Sequence, residues 1–401
     1  MIRVNYPGPS ATIGARQILA SSCNEFLTSA IRELPLPEQS RTDWTINLGE
    51  SLLFDSSGLR ILVKALKGYT GTATEIRFRL NIDSDAYRDY YSLGSDSSNH
   101  AVLLPVTAHR NSIRNSSSQD TIDVEFDYCS KNMRYPNSLT KPELVKTPLA
   151  LLMEYRGEFD ILFANQISLF SAIARAVRHS PVAWGKAMLG RRSGNWASRA
   201  SLAWSQIHRT ADVHPTAVIE GSFIGAGVRV GAHCVVRHSH IGERAELFDG
   251  AKVECSVVGS GSWLMHDLVL IRSHVEDQVF LIHGPYQFSC FHSGSAAFAT
   301  IMMDYRPDAK AIKAQTLSGI REYHGQFLGA LLKERAKSLG GSLLAPGIIV
   351  PSETWLAADS ATIHKPGRTD LPTELPVSPA SMHHTHKWRK SEIKTVSERF
   401  R

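Results

Sequence analysis

A repeat of 17 residues, running from Val213 to about Leu281, constrains this chain more than any other feature. Val213, Ile219 and Ile224 are followed by Val230, Val236 and Ile241, then by Leu247, Val253 and Val258, then by Leu264, Leu270 and Val275. Leu281 opens a fifth set, and the steps within each set are six, five and six residues. A helix would need apolar residues at i, i+3, i+4 and i+7, and those do not recur. A short fixed period marks a solenoid, in which each coil buries its apolar side against its neighbours. Steps of this length suit a triangular coil, each step giving one short flat strand with its aliphatic side chain inward. Small residues follow the aliphatic ones in Ile224-Gly225, Val230-Gly231, Ile241-Gly242 and Val258-Gly259, and are expected to let the chain turn its corners.

The residues VHPTAV, IEGSF, IGAGVR, VGAHCV, VRHSH and IGERAE give this stretch its family likeness. It resembles the hexapeptide-repeat family, whose fold is the left-handed parallel β-helix. Gly325-Gln-Phe-Leu-Gly-Ala-Leu-Leu with Leu344-Ala-Pro-Gly-Ile-Ile-Val-Pro351 looks like a closing coil of the same family. More narrowly, the chain is similar to sugar-nucleotide nucleotidyltransferases with a C-terminal β-helix, over roughly Ile207 to Leu356. Such coils serve as catalytic sites, trimer scaffolds and spacers alike, so the resemblance speaks for fold more than for activity. It implies a homo-oligomer as the family habit. For acyltransferases of the family it implies a histidine at the coil surface that deprotonates an acceptor amine or hydroxyl, with acyl-CoA in a groove between subunits.

At 401 residues with 43% hydrophobic content, two domains with real cores are expected. No apolar run reaches the length of a transmembrane helix, so no membrane partner is expected. The first residues, MIRVNYPGPSATIGAR, lack the apolar core of a signal peptide. Cys23, Cys129, Cys234, Cys255 and Cys290 form no CxxC pair, which suits reduced thiols in a cytoplasmic protein and no metal site. The net charge is +6, part of it in the tail from Lys387 to Arg401. A basic tail can touch nucleic acid, but a solvated tail is the preferred reading.

Four regions are expected: an α/β domain over 1–145, a helical bridge over 146–207, a left-handed β-helix over 208–360 with an irregular excursion over 284–338, and a basic tail over 361–401. In the first, 74–82 (TEIRFRLNI) and 120–128 (DTIDVEFDY) read as strands, 15–34 and 57–66 as helices, and 92–118 as a polar loop. In the bridge, 148–156 and 162–178 are apolar at helical spacing, and Phe163, Ile167, Phe170, Ile173, Ala174 and Val177 share a face suited to packing. The basic stretch from Ser180 to Ser201 would cap the β-helix or present cations to an anionic ligand. If the resemblance extends to the N-terminus, the first domain is a divergent nucleotidyltransferase domain. That family's phosphate loop, Gly-x-Gly-Thr-Arg after the first strand, is not found. Gly8 and Gly14 lack the spacing, and Gly68-Tyr-Thr-Gly71-Thr72 follows a helical segment and reads as a turn.

Candidate chemistry lies within and just after the coils. Phe223, His240, Val257 and His274 form a further column of period 17. Its two histidines would stand roughly 10 Å apart, too far for one metal ion, and read as hydrogen-bonded residues at a distorted corner. A denser cluster contains Trp263, His266 and Asp267, then His283, Tyr286 and His292, with the repeat breaking at Gly284-Pro285. The excursion adds Asp304, Arg306, Lys310 and Lys313. Aromatic walls with His, Asp and Arg fit a small polar ligand bearing an anionic group. His266, His283 and Asp304 are the candidate catalytic groups. Trp263, Asp267, Arg272, Tyr286, His292, Arg306 and Lys310 are the candidate substrate contacts. No cofactor is specified. An acyl or nucleotidyl transferase is expected. One alternative is a lyase or cyclase expelling sulfate or phosphate from a small amine, with Arg272, Arg306 or Lys310 receiving the departing oxyanion. Another is a regulatory or scaffold subunit.

Overall fold

The structure is a computed structural model. It describes residues 2–10, 16–19, 21–34, 44–91, 101–110, 118–133, 143–189, 196–306, 310–357 and 386–387. Most of the basic tail therefore lies outside the described residues.

In the N-terminal region, five strands form one mixed sheet in the order Ile2–Asn5, Trp44–Leu48, Ala101–Arg110, Glu75–Asn81, Gln119–Glu125. The outer pairs are parallel and the inner pairs antiparallel. Both expected strands are present, and alternation sends Ile76, Phe78, Leu80 and Val124 into the core. The expected loop over 92–118 instead contains the central strand, Ala101–Arg110. There Val102, Leu104, Val106 and Ala108 alternate inward. Pro105 is accommodated because the register against Glu75–Asn81 shifts between Arg77 and Arg79.

The helix expected over 15–34 begins only at Cys23, after a small hairpin of Gln17–Ile18 and Ser21–Ser22. Ser56–Lys67 is helical as expected, capped by Asp55, whose carboxylate accepts from Gly58 N at 2.7 Å. Gly68 closes that helix by donating to Lys64 O, so the Gly68–Gly71 stretch follows a helix end and is no phosphate loop. The helix expected over 148–156 is not formed. Glu143–Pro148 and Leu152–Glu154 are strands, the second antiparallel to Leu52–Phe54. Leu151, Leu152 and Met153 are consecutive and all buried, which suits a strand covered on both faces better than a one-sided helix.

The C-terminal part is a parallel β-solenoid of about 9 turns, roughly 17 residues per turn. Its strands form three rows. The first begins at Gln206–Ile207 and faces the α/β domain: the docked face. The second begins at Asp212–Val213 and is called the open face; the third begins at Val218–Glu220. The repeat residues fill the interior in register, with Val230 opposite Leu247, Val236 opposite Val253 and Ile241 opposite Val258.

The corners work differently from the sequence expectation. The turns fall at residues with left-handed φ, such as Arg244 and Gln278 between docked and open faces, and Cys255 and Arg272 between third and docked faces. The glycines directly after the aliphatic residues serve close approach instead. A Cβ on Gly259 would meet the carbonyl carbon of Glu276, one coil on, at 2.4 Å. Beside the third/docked corner, buried Ser222, Ser239, Ser256, Ser273 and Ser289 form a ladder. Each accepts from, or donates its amide to, the serine of the adjoining coil, as in Ser256 N to Ser239 Oγ at 3.2 Å.

The repeat does not break at Gly284-Pro285; the coil merely shortens by one residue. Tyr286 pairs with Leu270, Phe291 with Val275 and Ala297 with Leu281. The aromatic rings of Tyr286 and Phe291 meet edge to face at 5.4 Å inside the coil. The departure comes later, after Ile301–Met302. Its hairpin, Ile312–Thr316 with Gly319–Tyr323, projects from the third/docked corner, and Leu328 N to Asp304 O at 2.8 Å ties its root. Stacking resumes where Leu331–Leu332 pairs with Cys290–Phe291. The expected closing coil is thus present.

The helix Phe159–Arg178 lies between the two parts and is buried along most of its length. Leu169, Ile173 and Val177 pack with Val257 of the docked face. The column Phe223, His240, Val257 and His274 is the outward column of that face. His274 corrects the expectation of a hydrogen-bonded corner residue. It is fully buried, and among the described residues neither ring nitrogen has a hydrogen-bond partner. The excursion joins the same interface: Tyr323 stacks on Phe163 at 5.6 Å and donates to Asp89 O at 2.7 Å. No helix among the described residues is long and apolar enough to cross a membrane.

Candidate functional site

The residues singled out in the sequence fall at three different corners of the solenoid. Trp263, His266, Asp267 and His283 gather where the open face meets the third face. His266 and His283 stand two residues past Leu264 and Leu281, which pair directly. The two histidines are therefore corner neighbours on successive coils, about 4.8 Å apart along the stack, and both are exposed. Asp267 and His283 both adopt left-handed φ, and Asp267 N donates to Asp249 O at 3.0 Å, which fixes the turn that carries His266.

Aromatic rings prop this corner. His266 lies 5.2 Å from Phe248, which touches Trp263 at 6.4 Å, and Trp263 in turn meets Phe280 at 5.9 Å. Trp263 is 46% exposed. Phe248 also forms the edge of an open groove of about 330 Å³ that runs down the earlier coils. Asp212, His214, Arg229, Glu246 and Asp249 line it as well. Arg229 and Glu246 are 3.8 Å apart. His214 Nδ1 accepts from Thr216 N at 3.2 Å. Groove and histidine pair thus adjoin through one phenylalanine.

Arg272, Asp304, Arg306 and Lys310 belong to the third/docked corner and its excursion. Arg272 is 1% exposed. Its guanidinium lies 5.8 Å from the Phe170 ring and 6.0 Å from the Phe288 ring, and donates to Tyr90 Oη at 3.0 Å. Its carbonyl accepts from Gln166 Nε2 at 2.8 Å. This arginine ties the domain to the coil. Burial pushes the Asp304 carboxyl up to about 6. Arg306 is half-buried and Lys310 exposed. Tyr286, expected among the substrate contacts, lies inside the coil and donates to Ile282 O at 2.9 Å.

His292 occupies the docked/open corner, sealed beneath the α/β domain. Its Nδ1 accepts from Arg16, and Nε2 is 3.9 Å from Glu158. Arg16 pairs with Glu334 and lies 3.7 Å from Glu276. Glu158 takes Lys333 at 2.9 Å, and Glu276 accepts from Ser293 N at 3.0 Å. Burial, reinforced by Arg16, His274 and Lys333, holds the His292 imidazole well below its ordinary range. Burial raises the Glu276 carboxyl, and Arg16 opposes that shift. Sequence reasoning missed Arg16, Glu158, Glu276 and Glu334. Glu276 directly follows an interior valine, and no local pattern could pair it with Arg16. Among the described residues no group of His, Cys, Asp or Glu side chains is arranged to hold a metal ion.

The sequence matches no protein-family model and no curated protein. Among solved structures it is similar to a hexapeptide transferase family protein from Anaplasma phagocytophilum, at 18% identity and TM-score 0.24, over 38% of this chain and 74% of that one. It is also similar to perosamine N-acetyltransferase from Caulobacter crescentus, solved with CoA and GDP-perosamine, at 15% identity and TM-score 0.17, over 43% and 62%. A third is the acetyltransferase domain of PglB from Neisseria gonorrhoeae, at 15% and 0.16, over 46% and 74%. The coil register, and not these distant likenesses, makes the C-terminal part a parallel β-solenoid, consistent with a hexapeptide-repeat left-handed β-helix.

Proposed function

We propose that this protein is a small-molecule transferase that works at the corner between the open and third faces. The observation that carries this reading is the placement of His266 against Phe248, at the end of the open groove, with His283 one coil away. In this reading the acceptor's amine or hydroxyl lies beside His266. Its N–H or O–H proton passes to the imidazole as the heteroatom attacks the acyl carbonyl or phosphoryl centre of the donor, and the donor's thiolate or pyrophosphate leaves. Trp263 offers a flat apolar wall for the substrate, and Asp267 orients the turn. A transferase is preferred to a lyase that expels sulfate or phosphate, because Arg272 is committed to Tyr90, Gln166 and two aromatic rings inside the domain interface.

The test is a melting-temperature panel with acetyl-CoA, with UTP plus a sugar phosphate and magnesium, and with sulfate and phosphate, followed by turnover assays with any ligand that binds. A ligand specific for the folded state adds about 2.7 kcal/mol when present at roughly 100 times its dissociation constant. With a working donor, His266→Ala is expected to lower turnover by about 10²–10⁴-fold without moving the unfolding midpoint. Full turnover in both His266→Ala and His283→Ala would remove the chemistry from this corner. A response to sulfate or phosphate alone would favour the lyase, and silence across the panel the scaffold reading.

A further inference from the structure

The short helix Pro181–Leu189 is built inside out. Its buried side chains are the small Ala183 and Ala187, four residues apart and so on one face. The large apolar ones point the other way: Val182 is 66% exposed, Trp184 36%, Met188 69% and Leu189 89%. The helix Trp196–Ala203 packs beside it and adds Trp196, 52% exposed, with the Arg199 guanidinium 4.7 Å from its ring. Water-facing helices normally carry their polar residues outward. A contiguous exposed apolar set of this kind marks a surface that meets something.

The charge around it narrows what that is. In sequence, the stretch between Asp160 and Asp212 has no aspartate or glutamate and seven lysines and arginines, of which Arg175 is paired with Glu33. The whole chain's excess is only +6, so this one stretch accounts for it. Lys186 is exposed between Trp184 and Met188, and Arg178 is exposed at the end of the preceding helix.

We propose that this helical corner is a peripheral membrane contact that recognises anionic phospholipid. Val182, Trp184, Met188 and Leu189 enter the boundary between headgroups and acyl chains, and Lys186 and Arg178 lie at the level of the lipid phosphates. A nucleic acid would engage the cations and the tryptophans but has no counterpart for Val182, Met188 and Leu189. A second copy meeting the same surface across a two-fold axis would set cation against cation. The expectation of no membrane partner rested on the lack of a run long enough to span a bilayer, and a helix lying on the surface needs no such run.

The test is co-sedimentation of the full-length protein with unilamellar vesicles of phosphatidylcholine, with and without about one-third phosphatidylglycerol. The protein is expected to pellet with the anionic vesicles only and to be released by raised salt. The double variant M188E/L189E, altered at two exposed positions, is expected to keep the wild-type melting temperature and to lose at least about tenfold in partitioning. The proposal is overturned if the wild type stays in the supernatant, or if the double variant pellets as well as the wild type. It is equally overturned by vesicle-free dimers that the double variant dissolves, or by binding of single-stranded DNA in place of vesicles.

Discussion

Arg16 donates to His292 Nδ1 across 276 positions of sequence. An arginine can only donate, so that nitrogen is unprotonated and His292 is neutral with its proton on Nε2. The same guanidinium faces Glu276 and Glu334 from two coils of the solenoid. One residue of the α/β domain thereby supplies a counter-charge to the buried Glu276 and to the part-exposed Glu334.

Removing that cation is expected to destabilise the protein strongly. Arg16→Met leaves Glu276, 1% exposed, without its counter-charge, a change of about 3–5 kcal/mol for a broken buried pair. Adding Glu276→Gln should recover part of the loss, so a double-mutant cycle by urea unfolding measures the coupling. Additive effects would show that the two side chains do not interact.

Acid sensitivity is expected to trace in part to His274. Burial lowers its pKa from 6.5 to about 3. The unfolded chain therefore takes up the proton first as pH falls. The stability this group allows is complete above 6.5 and is lost progressively towards 3. His274→Leu removes an unsatisfied buried imidazole. Unfolding measured across that window should be less steep in pH, with no loss of stability at neutral pH.

Asp55 is a hub whose loss should be felt in three elements. Its carboxylate accepts from Gly58 N at 2.7 Å, Leu151 N at 3.1 Å and Ser171 Oγ at 2.7 Å. It thus joins a helix cap, the strand segment leading to Leu152–Glu154 and the long helix. Asp55→Ala combines a lost cap with stranded buried donors and should lower stability by at least about 2 kcal/mol in guanidinium unfolding. A loss confined to a few tenths would mean that the network is slack.

At the proposed site, Trp263 and His266 should separate kinetically. Trp263→Ala removes a half-exposed wall and is expected to raise KM with kcat little changed, whereas His266→Ala lowers kcat. Steady-state kinetics with the donor found in the ligand panel checks both. A fall in kcat for Trp263→Ala equal to that for His266→Ala would place the ring in the transition-state contacts.

The solenoid was legible in the sequence because each coil touches only its neighbours. A local period of 17 therefore determines the interior column from Val213 to Leu281 and the register between coils. The gathering of Trp263, His266 and His283 follows from the same arithmetic, since 266 and 283 differ by one period. That arithmetic misled where the coil lost a residue. Tyr286 and Phe291 entered the interior as aromatic rings, and a continuing coil looked like a break. The central strand Ala101–Arg110 hid between polar flanks with a proline at its middle, although its alternation was present. Which face of the prism would be covered was decided only by tertiary structure. The helix Phe159–Arg178 lies on the docked face, and with it Arg272, His274 and His292 became buried interface residues. No period records a contact between Arg16 and His292 or between Arg272 and Tyr90, 182 residues apart. Such contacts arise when two separately patterned parts bury their facing surfaces against each other, and the charges caught between them must find partners there.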